Sequence, residues 1–393
     1  MDKLLEHIYF LTKKLSHRGS TTASEKEAAN YIATQLKNEG YEPVTQRFLS
    51  ATSAYYPALV FGLITFVFII IYLRFPFPLI GILAIALIVL GLISVLLDSS
   101  FRDNPLSAIL PKRESQNIIA QLPAAKSERN KLVIMAHIDS HRTPLLFSSP
   151  FWVKVLKLII PVGIAGSLFT CIAILFSIFY KNIFGLNIIF DGILLFFLTL
   201  IILMAQADVT QFTTGANDNA SGAAALLVLA RDLKKKPFQF TSVYFVASGC
   251  EEVGSYGARA FIAEYKEKLG QCYWLTIDGL AAEKALPSVI CSEKFFLEVK
   301  SDPFMLKMAN MVIKEGPETG AFLLPLYQGA YTDSSPAGLN GFKVLTLIAL
   351  RRDGVLPAWH TMKDNFESID KTTLSKCLLF INSFFDVYRR EVG

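Results

Sequence analysis

The sequence predicts an α/β fold, in which a mostly parallel mixed β-sheet is flanked by helices and interrupted by four transmembrane helices in two hairpins. Three observations lead to this prediction. Outside its most apolar segments, the chain alternates short β-branched runs with amphipathic stretches, as α/β sheets covered by helices do. The apolar segments are each about as long as a helix needs to cross a bilayer. With 52% hydrophobic and 18% charged residues, the 393-residue chain is too apolar for a simple soluble enzyme.

The apolar segments form two pairs. In the first pair, YYPALVFGLITFVFIIIYL and LIGILAIALIVLGLISVLL are separated by RFPFP. In the second pair, residues 158–180 are uncharged and residues 188–206 are apolar except for Asp191. Four such runs in two tight hairpins favour membrane spans over buried core helices. We therefore expect hairpins at residues 55–97 and 155–206, and a polar domain assembled from residues 1–54, 98–154 and 207–393.

The distribution of charge predicts the side of the membrane on which the polar domain lies. Each hairpin returns the chain to the side that it left, and only Arg74 and Lys181 lie in the distal loops. The near-side flanks carry Arg47, Arg102, Lys112, Lys154 and Lys157. This bias predicts a multi-pass membrane protein with its polar domain in the cytoplasm. Five cysteines without CxxC spacing agree with a reducing compartment, and the mild net charge of +5 does not indicate nucleic-acid binding.

The remaining elements follow once both hairpins are spliced out. QNIIAQL and KLVIMAHID are typical of consecutive buried strands, and QLKNEG ends a predicted helix at Gly40. The other elements predicted from periodicity are helices over 22–40, 219–235 and 254–269 and strands over 240–248 and 272–278.

Histidines and carboxylates follow these predicted strands. VIMAHIDS ends in His137 and Asp139, YFVASGCEE in Glu251 and Glu252, and CYWLTIDG in Asp278, while Asp218 precedes an apolar helix and His360 follows the last strand. Ligands of open α/β sheets collect where strands end at their carboxyl edges. Each residue alone has an ordinary interpretation, such as a helix cap. Together they form a mixed nitrogen and oxygen set suited to zinc, in which two ions share a bridging carboxylate.

Five motifs, in order, resemble those of the co-catalytic di-zinc aminopeptidases, whose relatives include glutamate carboxypeptidase and the glutaminyl cyclases. They are AHIDS, GANDNASG, GCEEVGSYGARAF, TIDG and WHTMKD, and the resemblance covers most of the chain outside the hairpins. It implies a zinc aminopeptidase-like fold and two Zn²⁺ ions, with His137 and Asp278 on one ion and Glu252 and His360 on the other. Asp218 would bridge the two ions.

The same resemblance implies roles for residues that do not bind metal. Glu251 would be the general base and Asp139 a partner behind His137, with Asp364 in a comparable position near His360. The peptide bond between Asp218 and Asn219 would be cis.

These observations favour a membrane-anchored exopeptidase, an aminopeptidase acting on short peptides, with the lipid bilayer as its other partner; the sequence leaves protein partners open. A carboxypeptidase would need a cationic site for the substrate's carboxylate, for which Arg351 and Arg352 are candidates. A glutaminyl cyclase would bind a single zinc ion, and a catalytically inactive scaffold would have lost ligands. Asp333, in YTDSSPAGLNG, is a candidate for contact with the substrate amine, although an ordinary turn is equally consistent with that sequence.

Overall fold

The computed structural model describes residues 1–180 and 186–392, so Lys181 of the distal loop lies outside them. The chain divides into two compact units. We call one the sheet unit, made of Met1–Thr52, Lys112–Arg142 and the chain from Phe212 onwards, and the other the apolar unit, made of Ser53–Pro111 and Thr143–Gln211. Residues 98–111 and 143–154, which the sequence analysis assigned to the polar domain, group here with the apolar helices.

The sheet unit is built on a mixed β-sheet. Its strands are β1 Val44–Ala51, β2 Lys112–Leu122, β3 Asn130–His137, β4 Thr241–Ser248, β5 Tyr273–Asp278, β6 Leu286–Ile290, β7 Ser292–Lys294, β8 Glu298–Lys300, β9 Phe322–Leu324, β10 Tyr327–Gln328 and β11 Lys343–Leu350. Within the described ranges, eight strands pair in the order β1-β2-β4-β3-β5-β11-β6-β9, and β10-β7-β8 form a smaller sheet. The central strands β4, β3, β5 and β11 are parallel, whereas β2 and β6 pair antiparallel at either side. The predicted mixed α/β sheet is confirmed.

Helices cover this sheet. In the sheet unit they are α1 Asp2–Tyr9, α2 Ala23–Asn38, α8 Gly222–Lys235, α9 Tyr256–Leu269, α10 Pro303–Glu315, α11 Ser334–Leu339 and α12 Lys371–Glu391; the apolar unit contains α3 Tyr56–Arg74, α4 Pro78–Asp98, α5 Pro105–Ile109, α6 Pro150–Phe179 and α7 Leu186–Val209. Strand β4 is buried at every position, as expected for a central strand with helices on both faces. Because β3, β4, β5 and β11 run in one direction, the residues that follow them meet at one edge of the sheet.

The apolar unit is a bundle of long helices. Helix α3 packs against α4 and α7, and α6 packs against the same two helices, around a core that includes Phe61, Ile88 and Phe197. Within the described part of the chain, four helices (α3, α4, α6 and α7) are long and apolar enough to cross a membrane. Large apolar side chains point outwards, with Leu79 76% exposed and Ile188 72% exposed. Outward-facing aliphatic residues of this kind are typical of lipid-facing surfaces.

Both segments of the apolar unit leave and re-enter the sheet unit at paired residues. Ala51 and Lys112 are opposite each other at the end of the β1–β2 ladder. Arg142 and Phe212 form an isolated antiparallel bridge, and the neighbouring Thr213 N–H donates to the His141 carbonyl at 2.9 Å. Each insertion therefore occupies the position of a turn between two paired segments.

Candidate metal centre

A single carboxylate lies between two histidines at the carboxyl edge of the sheet. Asp218 Oδ1 is 3.2 Å from His137 Nε2, and Asp218 Oδ2 is 3.3 Å from His360 Nε2. His137 Nε2 is also 3.5 Å from Asp278 Oδ1, while His360 Nε2 is 3.1 Å from Glu252 Oε2. The five predicted ligands are thus brought together as two pairs on either side of Asp218, which is the arrangement of a carboxylate shared by two cations.

The centre concentrates negative charge away from water. Burial would lower the pKa of His360, but Glu252 and Asp218 outweigh it and raise this pKa to about 9. Burial also raises the pKa of the Glu252 carboxyl to about 7. The raised pKa of His360 means that the protonated, positively charged ring is favoured between these carboxylates. The raised pKa of Glu252 means that its ionised form is costly to bury. Six carboxylates of this region are each less than a tenth exposed: Asp139, Asp218, Glu251, Glu252, Asp278 and Asp333.

The donor atoms fit divalent cations. His137, Asp218 and Asp278 form one group and His141, Glu252 and His360 a second, and in each group three ligand atoms lie within 4.8 Å of one another. Glu252 Oε1 is buried and has no hydrogen-bond partner among the described residues, an arrangement that costs free energy unless a cation satisfies it. Imidazole nitrogens and carboxylate oxygens are the ligands that zinc takes in catalytic sites. The residues present therefore suit two zinc-like ions.

The two adjacent glutamates are fixed by other buried acids. Asp139 accepts hydrogen bonds from the backbone N–H groups of Glu251 at 3.0 Å and Glu252 at 3.1 Å. One residue earlier, the N–H of Cys250 donates to Glu25 at 2.9 Å. Cys250 has a φ of 55°, a left-handed conformation that is unfavourable for a residue with a side chain. These bonds hold the turn after β4 in a conformation that presents both glutamates to the same centre.

Asp139 is the residue expected behind His137. Its Oδ1 lies 3.4 Å from His137 Nδ1, which is longer than an ordinary hydrogen bond. Its shorter contacts are with the glutamate amides and with the Ser20 hydroxyl, which donates to Oδ2 at 2.7 Å. Asp139 therefore links the histidine strand to the glutamate turn.

Asp364 supports the bridging carboxylate through its backbone. Its carboxylate accepts from the N–H groups of Asn217 at 2.7 Å and Asp218 at 3.0 Å. The sequence analysis expected Asp364 to support His360. Its carboxylate instead accepts hydrogen bonds from the backbone before and at Asp218. The Asp218–Asn219 peptide bond is cis, as the family resemblance implies. His360 has a φ of 52°, so the loop that carries it is held in an unfavourable left-handed conformation, as residues of functional sites often are.

Two residues of this region were not found by the sequence analysis. His141 follows His137 and Asp139 at alternate positions. In an extended segment, residues at i, i+2 and i+4 lie on the same face, so this spacing could have indicated that His141 is near the other two. Arg18 belongs to no sequence motif that would have indicated its position. It is fully buried, and its guanidinium donates to four backbone carbonyls, including that of Ile138 at 2.7 Å and that of Gly215 at 2.8 Å. It therefore joins the segment after β3 to the segment before Asp218.

The residues considered for substrate contact are Asp333 for an amine and Arg351 and Arg352 for a carboxylate. Asp333 is 1% exposed; its Oδ2 accepts from the Ser248 hydroxyl at 2.5 Å, and its Oδ1 has no hydrogen-bond partner among the described residues. Arg351 is exposed and forms an ion pair with Asp353 at 2.9 Å. Arg352 lies over the ring of Phe322, with 5.6 Å between its guanidinium carbon and the ring centroid. The two arginines thus have local partners.

Two comparisons with known proteins find similarity to peptidases. Residues 198–384 match the family model described as Peptidase family M28. Aminopeptidase YwaD of Bacillus subtilis (strain 168) is 29% identical over 178 residues, which are 44% of this chain and 37% of the relative's length. The chain thus matches little more than a third of that relative.

Solved structures share the fold at low sequence identity. BSAP, a zinc aminopeptidase from Bacillus subtilis, has a TM-score of 0.57 and 16% identity, with 99% of this chain and 94% of that chain covered. Bacteroides thetaiotaomicron glutaminyl cyclase, solved with N-acetylhistamine, has a TM-score of 0.57 and 14% identity, with 97% and 96% covered. The predicted zinc aminopeptidase-like fold is confirmed.

Proposed function

We propose that this chain, which carries a peptidase family M28 domain, is a membrane-anchored di-zinc aminopeptidase that removes N-terminal residues from short peptides. The observation that carries the proposal is the position of Asp218, with one oxygen facing His137 and the other facing His360. A carboxylate shared in this way is a ligand for two ions rather than one. The similarity to a Bacillus aminopeptidase supports the same assignment.

Glu251 is the residue we assign as general base. It is 5% exposed, and its backbone is held by Asp139. Burial raises the pKa of its carboxyl well above the usual range, and the neighbouring carboxylates of Glu252, Asp333 and Asp278 add to that effect. A carboxylate with a raised proton affinity is suited to take a proton from the attacking water and to pass it to the leaving amine. When bound, two zinc ions would polarise the scissile carbonyl and lower the pKa of water.

Asp333 is the residue we assign to the substrate's free α-amine. Its Oδ1 is a buried carboxylate oxygen without a hydrogen-bond partner among the described residues. A substrate ammonium group would supply the missing donors and a compensating charge. This contact would favour peptides with a free N-terminus over blocked ones.

The apolar unit would anchor this domain in the membrane. Its four long apolar helices and their outward-facing aliphatic side chains support insertion in a bilayer. The excess of lysine and arginine on the near-side flanks supports a cytoplasmic location for the sheet unit.

The function can be tested with the full-length chain purified in detergent. We expect hydrolysis of aminoacyl p-nitroanilides that is lost on chelation, restored by zinc and absent with N-acetylated substrates. Glu251→Gln should lower kcat by about 10²–10⁴-fold with zinc still bound, because only the proton acceptor is removed. The matched control is Glu267→Gln, which changes an exposed glutamate of α9. Unchanged turnover in Glu251→Gln would refute the assigned base.

Two other activities on the same fold give different products. A carboxypeptidase would cleave peptides with a free C-terminus but not C-terminally amidated ones, because it requires the free carboxylate, whereas an aminopeptidase would cleave both. A glutaminyl cyclase would convert N-terminal glutamine to pyroglutamate without cleaving the peptide, and mass spectrometry would detect that product. An inactive scaffold would bind no zinc and respond to no chelator.

A further inference from the structure

His141 lies beside the metal centre in a fixed position. It is 7% exposed and follows His137 and Asp139 at alternate positions of an extended segment. Its backbone carbonyl accepts from Thr213 N–H at 2.9 Å, and the next residue, Arg142, bridges to Phe212. The ring is therefore attached to a backbone that is held on both sides.

The tautomer of His141 follows from its hydrogen bond. Its Nδ1 is 2.7 Å from the Arg142 carbonyl oxygen, and a carbonyl only accepts, so Nδ1 carries the proton. In the neutral ring the lone pair is then on Nε2. Metal-binding histidines commonly donate their other ring N–H to a backbone carbonyl in this way, which orients the ring.

The ring of His141 is stacked on that of His360. The ring centroids are 3.6 Å apart and the planes are inclined by 13°. Two protonated imidazoles would repel each other at this distance, whereas two neutral imidazoles can bind the same cation. One ring nitrogen of His141 lies within 4.8 Å of ligand atoms of both Glu252 and His360.

We propose that His141 is an additional ligand of the metal ion on the Glu252–His360 side. This inference rests on the proposed di-zinc centre. The ion on that side would have two imidazole nitrogens and the oxygens of Glu252 and Asp218, whereas the other would have one imidazole and the oxygens of Asp278 and Asp218. The two sites are therefore unequal, and the site with His141 fills first because it offers more nitrogen ligands to zinc.

The competing interpretation is that His141 only supports the ring of His360 by stacking. His141→Phe separates the two roles, because phenylalanine keeps an aromatic ring but has no donor atom. His141→Asn, with a smaller side chain, provides a second variant. His17→Phe is the matched control, because His17 also stacks on an aromatic ring, that of Phe212, but belongs to neither metal group.

The test measures zinc bound per chain at buffered free zinc concentrations, together with the visible absorption of the Co²⁺-substituted protein. We expect two ions in the wild type and in His17→Phe, and a 10–100-fold weaker affinity for one ion in both His141 variants. In Co²⁺-loaded protein, the spectrum of the site that fills first should change in the variants.

Two outcomes would overturn the inference in distinguishable ways. If His141→Phe and His141→Asn bind two zinc ions with wild-type affinity, His141 is not a ligand, and the di-zinc proposal is unaffected. If the wild type itself binds one zinc ion or none, the di-zinc proposal fails and this inference fails with it. Equal unfolding temperatures of the chelator-treated wild type and variants show that a loss of zinc is not a loss of fold.

Discussion

Replacing Arg18 by methionine should destabilise the sheet unit more than any single change at its surface. The side chain is fully buried, and it donates to the carbonyls of Leu11, Ile138, Thr214 and Gly215 at 2.5–2.9 Å. Methionine can replace the aliphatic part of the arginine side chain, but it is shorter and donates no hydrogen bond. Four carbonyl groups would then lose their charged partner at once.

The magnitude follows from these four bonds. Hydrogen bonds to a charged group contribute about 1.5–3 kcal/mol each, and the free energy regained by no longer burying the guanidinium offsets part of the loss. Burial lowers the pKa of Arg18 to about 10, so the group still carries its charge near neutral pH. We expect Arg18→Met to lower the free energy of unfolding by about 4–8 kcal/mol, which is comparable to the whole stability of many domains.

A lysine at the same position gives an intermediate case. Lys keeps the positive charge but has three donors on one nitrogen, so it cannot reproduce the planar fork that reaches four carbonyls. We expect Arg18→Lys to cost about 2–4 kcal/mol.

The assay is thermal unfolding of the purified protein in detergent at a fixed scan rate, followed by tryptophan fluorescence, to which the buried Trp274 of the sheet unit contributes. Arg113→Lys, at an exposed position of β2, is the matched control and should unfold at the wild-type temperature. An Arg18→Met protein that unfolds within about 2 °C of the wild type would refute the reasoning, because about 1 kcal/mol already shifts the midpoint by that much.

Three further predictions concern the site and the membrane. Gly257→Ala should destabilise the glutamate turn by about 1–3 kcal/mol or more, because a Cβ there would be 2.3 Å from the Gly249 carbonyl oxygen. The control is Gly163→Ala, where an added Cβ meets no atom within 4 Å. Equal unfolding temperatures of the two variants would contradict the prediction. Asp139→Asn should lower kcat/KM and zinc affinity by about 10–100-fold, because the amide keeps one acceptor oxygen and its nitrogen cannot accept the second of the two N–H bonds from Glu251 and Glu252; unchanged zinc titrations would argue against it. After alkaline carbonate extraction, we expect the full-length chain in the membrane pellet, and recovery in the supernatant would show that the apolar helices do not span the bilayer.

The candidate ligand positions could be predicted from the sequence because three of the five follow strand ends and a fourth lies in a glycine-rich turn. His137, Glu252 and Asp278 come within four residues of a strand end, and parallel strands bring such residues together. Their roles stay predictions. His360 lies ten residues beyond the end of β11, so the sequence shows only that it follows the last strand, and the intervening loop has to bring it near Asp218.

Arg18 and Asp364 show what sequence patterns cannot supply. The partners of Arg18 are backbone carbonyls at positions from 11 to 215, and any residue type provides a carbonyl, so no motif marks them. Asp364 likewise binds the backbone amides of Asn217 and Asp218. Contacts of a side chain with distant backbone depend on tertiary structure alone. The grouping of α5 and the first turns of α6 with the apolar helices likewise depends on tertiary contacts, which a sequence pattern does not show.

The pairing of Ala51 with Lys112 and of Arg142 with Phe212 bears on how such a protein could arise and be re-engineered. Each hydrophobic insert lies between two residues that are already paired, so the ends that it joins are neighbours in the sheet unit. Loop-closure entropy depends only weakly on the length of a flexible connection, which makes long inserts tolerable at such places. The same geometry suggests a shortened protein: two short glycine-containing turns, one in place of residues 53–111 and one in place of residues 143–211, would join the same pairs and leave all five candidate metal ligands in the chain.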